Sequence, residues 1–273
     1  EAHVLTLSLH EGAHMGWAEC IPYPHYGESV AHVREQVLAF AERQKEPLQF
    51  HDISGAPLSP CASNILDCAL CDLRARQQQQ SICQLRAQSP LRPLLCSQTI
   101  PLAGTAQMAA QAALYKAYPL LKIKLGGNDD QAAIKAIRAA APEVRLIVDA
   151  NEGWTADTLQ ANVEACVAVG VELIEQPLPA AQDALLAEIP HPIPLCADES
   201  FHSLQDLSRL KDCYELVNLK LEKTGGLSQA FTYLEAAKDA GFGVMVGCIL
   251  GTSLAMAPAF VLAQQADYAD LDG

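Results

Sequence analysis

The sequence predicts a mixed α/β fold in two parts, an α+β capping unit over residues 1–95 and a (β/α)7β barrel over residues 96–273. Three observations predict it. From about residue 96, short apolar runs alternate with Ala-rich helical stretches, the rhythm of parallel strands joined by right-handed crossovers. The runs number about eight, the count at which a barrel closes on itself, and roughly 180 residues suffice when the loops are short. Nearly every run also ends on an ionisable residue, and in such barrels the chemistry sits at the C-terminal ends of the strands.

Ahead of the barrel, His3-Val4-Leu5-Thr6-Leu7-Ser8-Leu9 alternates as a strand, and Met15-Gly16-Trp17-Ala18-Glu19-Cys20 answers it across a turn at Glu11-Gly12. An irregular loop over 22–29 follows, then helical patterns over 30–45 and 60–80. Barrel strands are placed at 99–102, 120–124, 145–149, 173–175, 193–198, 216–220 and 243–246, with a last short one near 268–270 and seven helices between them.

With 32 Asp and Glu against 18 Lys and Arg the formal charge is −14, yet half of the residues are apolar and only 18% are charged. The apolar half supplies a core, which excludes a disordered chain, and the acid surplus excludes a nucleic-acid reader. Residues 240–266 carry no charge and are long enough to cross a bilayer. Gly241, Gly243, Gly247, Gly251 and Pro258 interrupt them, however, and Asp239 and Asp267 flank them, so a buried strand and a buried helix are expected and no membrane span. Gly241-Phe242-Gly243 precedes its strand, the wrong place for a dinucleotide-binding loop. Ten cysteines without dense regular spacing read as small core residues in a reducing compartment, not a disulfide framework. Cys68 and Cys71 form one CxxC inside an amphipathic helical pattern, with no second CxxC to complete a zinc site. Glu1 in place of Met, and an end at Leu271-Asp272-Gly273 without a helix or tail signal, are expected of a chain trimmed at both ends.

Asp149, Glu175 and Asp198 end the third, fourth and fifth strands at spacings of 26 and 23 residues, one βα unit each, and are expected side by side. Three converging carboxylates repel unless a cation holds them. An all-oxygen set without a nearby His or Cys suits Mg2+ or Mn2+ rather than zinc. Asn151 and Glu199, beside two of these acids, are expected to support them.

Lys124 ends the second strand and Lys220 the sixth, so the two are expected to face each other across a ring of eight. Bases on opposite faces of one carbon let a proton leave one face and return on the other, which is racemisation or epimerisation. A proton α to a carboxylate is barely acidic, and a cation beside that carboxylate offsets the second negative charge as it develops. A free lysine is protonated at neutral pH and must be shifted down to act as a base. Lys122 and Lys124, i and i+2 on one strand face, are expected to repel each other in that direction. Lys220 is preferred to Lys223 as the second base because it ends the apolar run, whereas Lys223 falls in the following loop.

Assembled, these residues resemble the enolase superfamily, specifically its muconate-lactonising branch and most closely the dipeptide (L-Ala-D/L-Glu) epimerases. Lys122-Ile123-Lys124, Asp149-Ala150-Asn151, Ile174-Glu175-Gln176-Pro177, Ala197-Asp198-Glu199-Ser200 and Lys220-Leu221-Glu222-Lys223-Thr224-Gly225-Gly226 match that branch motif by motif, and the resemblance spans essentially the whole chain. It implies a capping domain ahead of a TIM-like barrel, bound Mg2+, and 1,1-proton transfer at the carbon α to a carboxylate. A lysine or histidine base working with Mg2+ is the established pattern of such sites.

Asp270-Leu271-Asp272-Gly273 resembles the Asp-x-Asp with which these epimerases bind the dipeptide's free α-ammonium. The 22–29 loop resembles the one that covers their site, which brings Tyr26, with Tyr23 and His25, to the substrate; Lys122 is expected there too. The branch pattern alone also fits o-succinylbenzoate synthases, N-acylamino acid racemases and cycloisomerases, and a metal-binding barrel without turnover is a reading of a different class. The resemblance further implies a cytoplasmic enzyme of cell-wall peptide metabolism acting on a small dipeptide, with a homo-oligomer among its options. It also implies an earlier strand and a mobile loop before Glu1, and a return to the cap after Gly273.

Overall fold

The computed structural model describes residues 2–86 and 88–273; Glu1 and Ala87 lie outside the described residues. The chain opens on an antiparallel hairpin, β1 (Leu5–Glu11) and β2 (His14–Cys20). β1 starts and ends two residues later than its alternation suggests, because the ladder continues until Glu11 pairs with His14 around a two-residue turn. Gly12 takes the left-handed φ of +61° that this turn requires. The 22–29 loop contains one 3-10 turn, Pro24–Tyr26, stopped by Gly27 at φ +75°.

Four helices follow: α1 (Val30–Arg43), α2 (Phe50–Ser54), α3 (Pro60–Gln78) and α4 (Ile82–Leu85). α3 starts where Ser59 accepts a hydrogen bond from the Ala62 N–H and Pro60 occupies the first turn, which has no use for its missing donor. It is buried along most of its length and crosses β2 at Gly16, where a Cβ would run into the main chain at Ala69 and Leu73. Cys68 and Cys71 are among its buried residues, the Cys68 thiol donating to Asn64 Oδ1, and all ten cysteines are free. Both cysteines therefore sit as core residues, as expected.

The barrel alternates β3 (Gln98–Ile100), α5 (Thr105–Tyr115), β4 (Leu120–Lys124), α6 (Asp130–Ala140), β5 (Arg145–Asp149), α7 (Ala156–Ala168) and β6 (Val171–Glu175). After a 3-10 stretch, Ala180–Glu188, it continues with β7 (Leu195–Ala197), α8 (Asp206–Leu210), β8 (Leu216–Leu219), α9 (Leu221–Thr224), α10 (Leu227–Asp239), β9 (Gly243–Val246), α11 (Ser253–Ala263) and β10 (Tyr268–Ala269). The eight strands are parallel and lie in chain order from β3 to β10. A parallel bridge between Cys96 and Ala269, with the Ser97 N–H donating to Ala269 O at 3.0 Å, joins the two outermost strands and closes the sheet. The (β/α)7β barrel is thus present, with one departure: the fourth connection is 3-10 rather than α. Pro177, Pro179, Pro190 and Pro192 crowd its ends, removing N–H donors and fixing φ, and the nine residues between take the tighter helix.

The stretch 240–266 becomes β9 and α11, the latter carrying Pro258 within it. Among the described residues, no helix is long and apolar enough to cross a membrane.

Candidate active site

Side chains on a strand alternate between the two faces of the sheet, and this alternation places the site. Leu120, Ile147, Leu173, Cys196, Leu216 and Met245 form a separate apolar cluster, with Tyr268 packed against it, distinct from the core between sheet and helices. One residue comes from each of β4 to β10, so this cluster is the floor of the barrel interior. Two residues further along each chain, on the same inward face, stand Lys122, Asp149, Glu175, Asp198, Asn218, Gly247 and Asp270. Gly247 is the one position without a side chain, and a Cβ there would come within 2.7 Å of Asn218 Oδ1. Polar groups thus cap an apolar floor at the C-terminal end of the strands.

The charges in this layer are closely paired. The Lys122 ammonium, 1% exposed, lies 3.0 Å from Asp149 Oδ2, 2.6 Å from Glu175 Oε2 and 2.6 Å from Asp270 Oδ2. Lys124, one step higher and partly exposed, donates to Asp149 Oδ2 at 2.7 Å and to Asn151 Oδ1 at 3.1 Å. Asn151 in turn donates to Glu199 Oε1 at 3.3 Å. On the opposite side, Lys220 Nζ lies 2.6 Å from Asp198 Oδ2, while Lys223 donates to Asp198 Oδ1 at 2.7 Å and to Asp198 O at 2.8 Å. Lys223 was missed by sequence reasoning, which left it in a loop; it is buried in α9, one short helical turn beyond Lys220. Asn218, on β8, was also missed; it donates to Glu175 Oε1 at 2.8 Å.

These pairings reverse the expected direction of the Lys122 shift. Burial pulls Lys122 down, but Asp149, Asp270 and Glu175 overcome it and hold its pKa well above the usual lysine value, whatever the repulsion from its neighbour. Lys220 is raised in the same way, Asp198 overcoming burial. The acids answer accordingly. Burial pushes Asp149 up, yet Lys122 and Lys124 bring it below the ordinary value; Lys220 and Lys223 do the same for buried Asp198. Glu175 goes the other way, pushed up to about 7 by burial and then by Asp149, and Glu199 rises to about 8 through burial and Asp198.

Asp270 and Asp272, the acids expected to clamp an ammonium, both stand at the end of the last strand and accept hydrogen bonds from this chain. Besides Lys122, Asp270 receives the Ser97 hydroxyl at 2.6 Å, while Asp272 accepts from the Thr99 N–H, the Thr99 hydroxyl and Gln98 Nε2. Both acids thus already bind groups of this chain, Asp270 buried and Asp272 exposed. Lys122, expected at the substrate, is buried among Asp149, Glu175 and Asp270.

Tyr26 reaches the site from the 22–29 loop. Its ring packs edge-on against His202 at 5.0 Å, and burial followed by the nearby Asp198 raises its hydroxyl pKa. Tyr23 and His25 stand beside it in an aromatic group, His25 Nε2 lying 3.5 Å from Glu152 Oε2. The loop is therefore held at both the β5 and β7 ends of the barrel mouth. A cavity of about 700 Å3 between α3, α4 and α11 is mainly apolar, lined by Trp17, Met256 and Phe260 among others, and includes none of the lysines and acids paired at the barrel mouth.

As the side chains stand, no three acidic, histidine or cysteine groups among the described residues converge tightly enough to grip an ion. The donor set nevertheless suits a hard divalent cation: three buried carboxylates on adjacent strand ends, with no sulfur or imidazole among them. Glu175 Oε2, although close to Lys122, accepts no hydrogen bond of suitable direction, and Glu199 Oε2 is likewise buried without a donor. Such orphaned oxygens are what a cation would satisfy.

The L-Ala-D/L-Glu epimerase of Escherichia coli is 42% identical over all of this chain and 86% of its own length. An N-acetyl-D-glutamate racemase from Pseudoalteromonas is 42% identical over 94% of this chain and 82% of its own. Among solved structures, an enolase family member from Agrobacterium tumefaciens with homology to dipeptide epimerases, holding sodium and L-Ala-L-Glu, superposes with a TM-score of 0.97 at 46% identity, covering 100% of this chain and 83% of that one. A dipeptide epimerase from Cytophaga hutchinsonii, complexed with Mg and D-Ala-L-Val, superposes at 0.90 with 26% identity, covering 98% of this chain and 79% of that one. Residues 105–270, most of the barrel, match the family model described as enolase C-terminal domain-like, and with relatives this similar over nearly its full length the chain belongs to the enolase superfamily.

Proposed function

We propose that this enzyme epimerises a small dipeptide of the L-Ala-D/L-Glu type by 1,1-proton transfer at the Glu α-carbon, next to the terminal carboxylate. The observation that carries the reading is the placement of two lysines, Lys124 at the end of β4 and Lys220 just past β8, four strands apart in a ring of eight and each against a strand-end aspartate. In this reading Lys124 Nζ removes or returns the α-proton on one face and Lys220 Nζ does so on the other. Asn151, held by Glu199, orients Lys124; Tyr26 covers the Lys220 side and excludes water.

Asp149, Glu175 and Asp198 would hold Mg2+, or Mn2+ in its place, and the ion would supply positive charge where the substrate carboxylate gains electron density. Lys122 buttresses two of these acids from below and joins them to Asp270. Asp270 and Asp272 remain the acids nearest to hand for the dipeptide's α-ammonium, and binding it requires them to share or exchange their present donors. Ten free cysteines support a reducing setting, which we take to be the cytoplasm, and the substrate type supports a place in cell-wall peptide metabolism.

A second reading, racemisation of an N-acylated glutamate, is favoured by one observation: both oxygens of Asp270 already accept hydrogen bonds from Lys122 and Ser97, an arrangement that needs no substrate ammonium. The two readings share the proton chemistry and differ at the substrate nitrogen. Incubation with Mg2+ in D2O, once with L-Ala-L-Glu and once with N-acetyl-L-Glu, and observation of the Glu α-proton by NMR separates them. Exchange with formation of the second diastereomer from the dipeptide supports the epimerase. Exchange from the N-acetyl compound alone replaces it with the second reading, and exchange from neither removes both.

A further inference from the structure

Gln176, the residue after Glu175, is fully buried and takes a left-handed backbone with φ +36°. That region costs a side-chain-bearing residue of order 1–3 kcal/mol and persists only where surrounding contacts enforce it. Here the side chain supplies the enforcement. Its Oε1 accepts the Asp198 N–H at 2.9 Å and the Ser200 N–H at 3.1 Å, the two amides that flank Glu199. Its Nε2 faces Leu178 O at 2.9 Å, Ser200 Oγ at 2.7 Å and the Tyr214 hydroxyl at 2.9 Å. Its own N–H donates to Cys196 O at 2.9 Å.

The two halves of this residue serve different neighbours. β7 ends at Ala197, so the amides of Asp198 and Ser200 lie beyond the strand and turn to the Gln176 oxygen instead. The turn that carries Asp198 and Glu199 is wrapped around one amide oxygen, and that oxygen belongs to the residue covalently attached to Glu175. The nitrogen end is anchored in the scaffold. Tyr214 and Ser200 both donate to Asp183 Oδ1, and Arg209 closes the network by pairing with Asp183 and donating to Ser200 O.

We infer that Gln176 is a positioning residue that sets the separation of Glu175 and Asp198, and so the grip of the acid trio on its cation. The inference rests on the proposed reading of Asp149, Glu175 and Asp198 as the cation ligands. Partners one layer behind metal ligands matter in this way because they fix ligand direction, and losing one costs about 10- to 100-fold in metal affinity.

The test is Mn2+ binding to the full chain, read by the loss of the free-ion EPR signal, together with the thermal midpoint of each variant. Gln176→Gly deletes the amide and also relieves the backbone strain, so its fold is not burdened by the left-handed φ; it is expected to weaken Mn2+ binding by about 10- to 100-fold. Gln176→Glu keeps an acceptor facing the Asp198 and Ser200 amides and is expected to bind Mn2+ at least as tightly as the parent. Tyr214→Phe removes only the scaffold-side partner; it is expected to lower the midpoint and leave Mn2+ affinity unchanged. The inference is overturned if Gln176→Gly binds as the parent does, if Gln176→Glu loses as much affinity as Gln176→Gly, or if Tyr214→Phe loses as much as Gln176→Gly. Asp198→Asn tells the two levels apart: parental Mn2+ affinity in this variant removes the ligand assignment itself and the inference with it, whereas its loss beside an unaffected Gln176→Gly removes the inference alone.

Discussion

Lys223 grips Asp198 at two atoms, donating to the carboxylate Oδ1 at 2.7 Å and to the main-chain oxygen at 2.8 Å. Lys220 holds only the other carboxylate oxygen. The two lysines are separated by one turn of α9 but differ in what they constrain: Lys223 fixes both backbone and side chain of Asp198, and Lys220, less deeply buried, touches the tip. Removing Lys223 leaves a buried carboxylate with one cationic partner and frees the end of β7. Lys223→Met is therefore expected to destabilise the fold by about 3 kcal/mol, as measured by urea unfolding at neutral pH. A loss well under 1 kcal/mol would mean that Lys220 alone compensates Asp198.

The proposed two-base chemistry makes an asymmetric prediction. Each lysine serves one face, so Lys124→Ala and Lys220→Ala should each abolish interconversion of the diastereomers. Each variant should still exchange the α-proton of one diastereomer with D2O, and the two variants should retain opposite ones. NMR of both diastereomers with each variant checks this. Equal exchange from both diastereomers in either variant removes the assignment of one lysine to each face.

The capping helix reaches the lysine segment through a glycine. Gly226 has φ +114°, and a Cβ there would stand 2.6 Å from the Asp67 Cβ and 2.8 Å from its Oδ2, the oxygen that accepts the Ser228 N–H at the start of α10. Gly226→Ala combines backbone strain with a clash against α3 and is expected to cost about 3 kcal/mol. Neighbouring Gly225, at φ +86°, would place a Cβ no closer than 3.5 Å to any atom. Gly225→Ala should lose only the backbone part, about 1–2 kcal/mol. Thermal unfolding of the pair distinguishes the two contributions, and equal losses would show that α3 yields to the added methyl.

Much of the site was legible because a strand repeats every two residues and a βα unit repeats about every 25. Asp149, Glu175 and Lys124 end their strands, and Asp198, Lys220 and Asp270 stand one residue past theirs, on the inward face that the floor residues define. The helix positions and the buried cysteines followed from apolar periodicity in the same way. Lys223, Asn218 and the Gln176–Tyr214–Asp183 network were not legible. Their partners are amides and carboxylates more than 20 residues away that become available only where a strand stops pairing, and no local pattern marks such a place. The direction of the Lys122 shift was misread for a related reason. The repelling neighbour, Lys124, is two residues away in sequence, while the attracting acids come from three other strands. One signal was available: Gln176 stands between a strand-end acid and Pro177, where a buried polar side chain has no helix or strand to use it.

Glu222, in α9 between Lys220 and Lys223, gives a pH-dependent prediction. Its carboxyl is buried, within electrostatic reach of Glu28 and Glu19 of the capping layer and of Lys220. Burial pushes its pKa up to about 7 from 4.5; the two glutamates add to this and Lys220 opposes it. A carboxyl that is harder to ionise folded than unfolded stabilises the fold fully below pH 4.5, where both states are protonated. As pH rises from 4.5 the unfolded chain ionises first, and the contribution is lost progressively until the folded group also ionises near 7, a total of about 3 kcal/mol. Glu222→Gln has no proton to lose and should escape this decline. Its stability relative to the parent should therefore rise by about 3 kcal/mol between pH 4.5 and pH 8, with most of the change below pH 7. Urea unfolding of both proteins across that range provides the measurement; parallel stability curves would mean that Glu222 ionises as readily folded as unfolded.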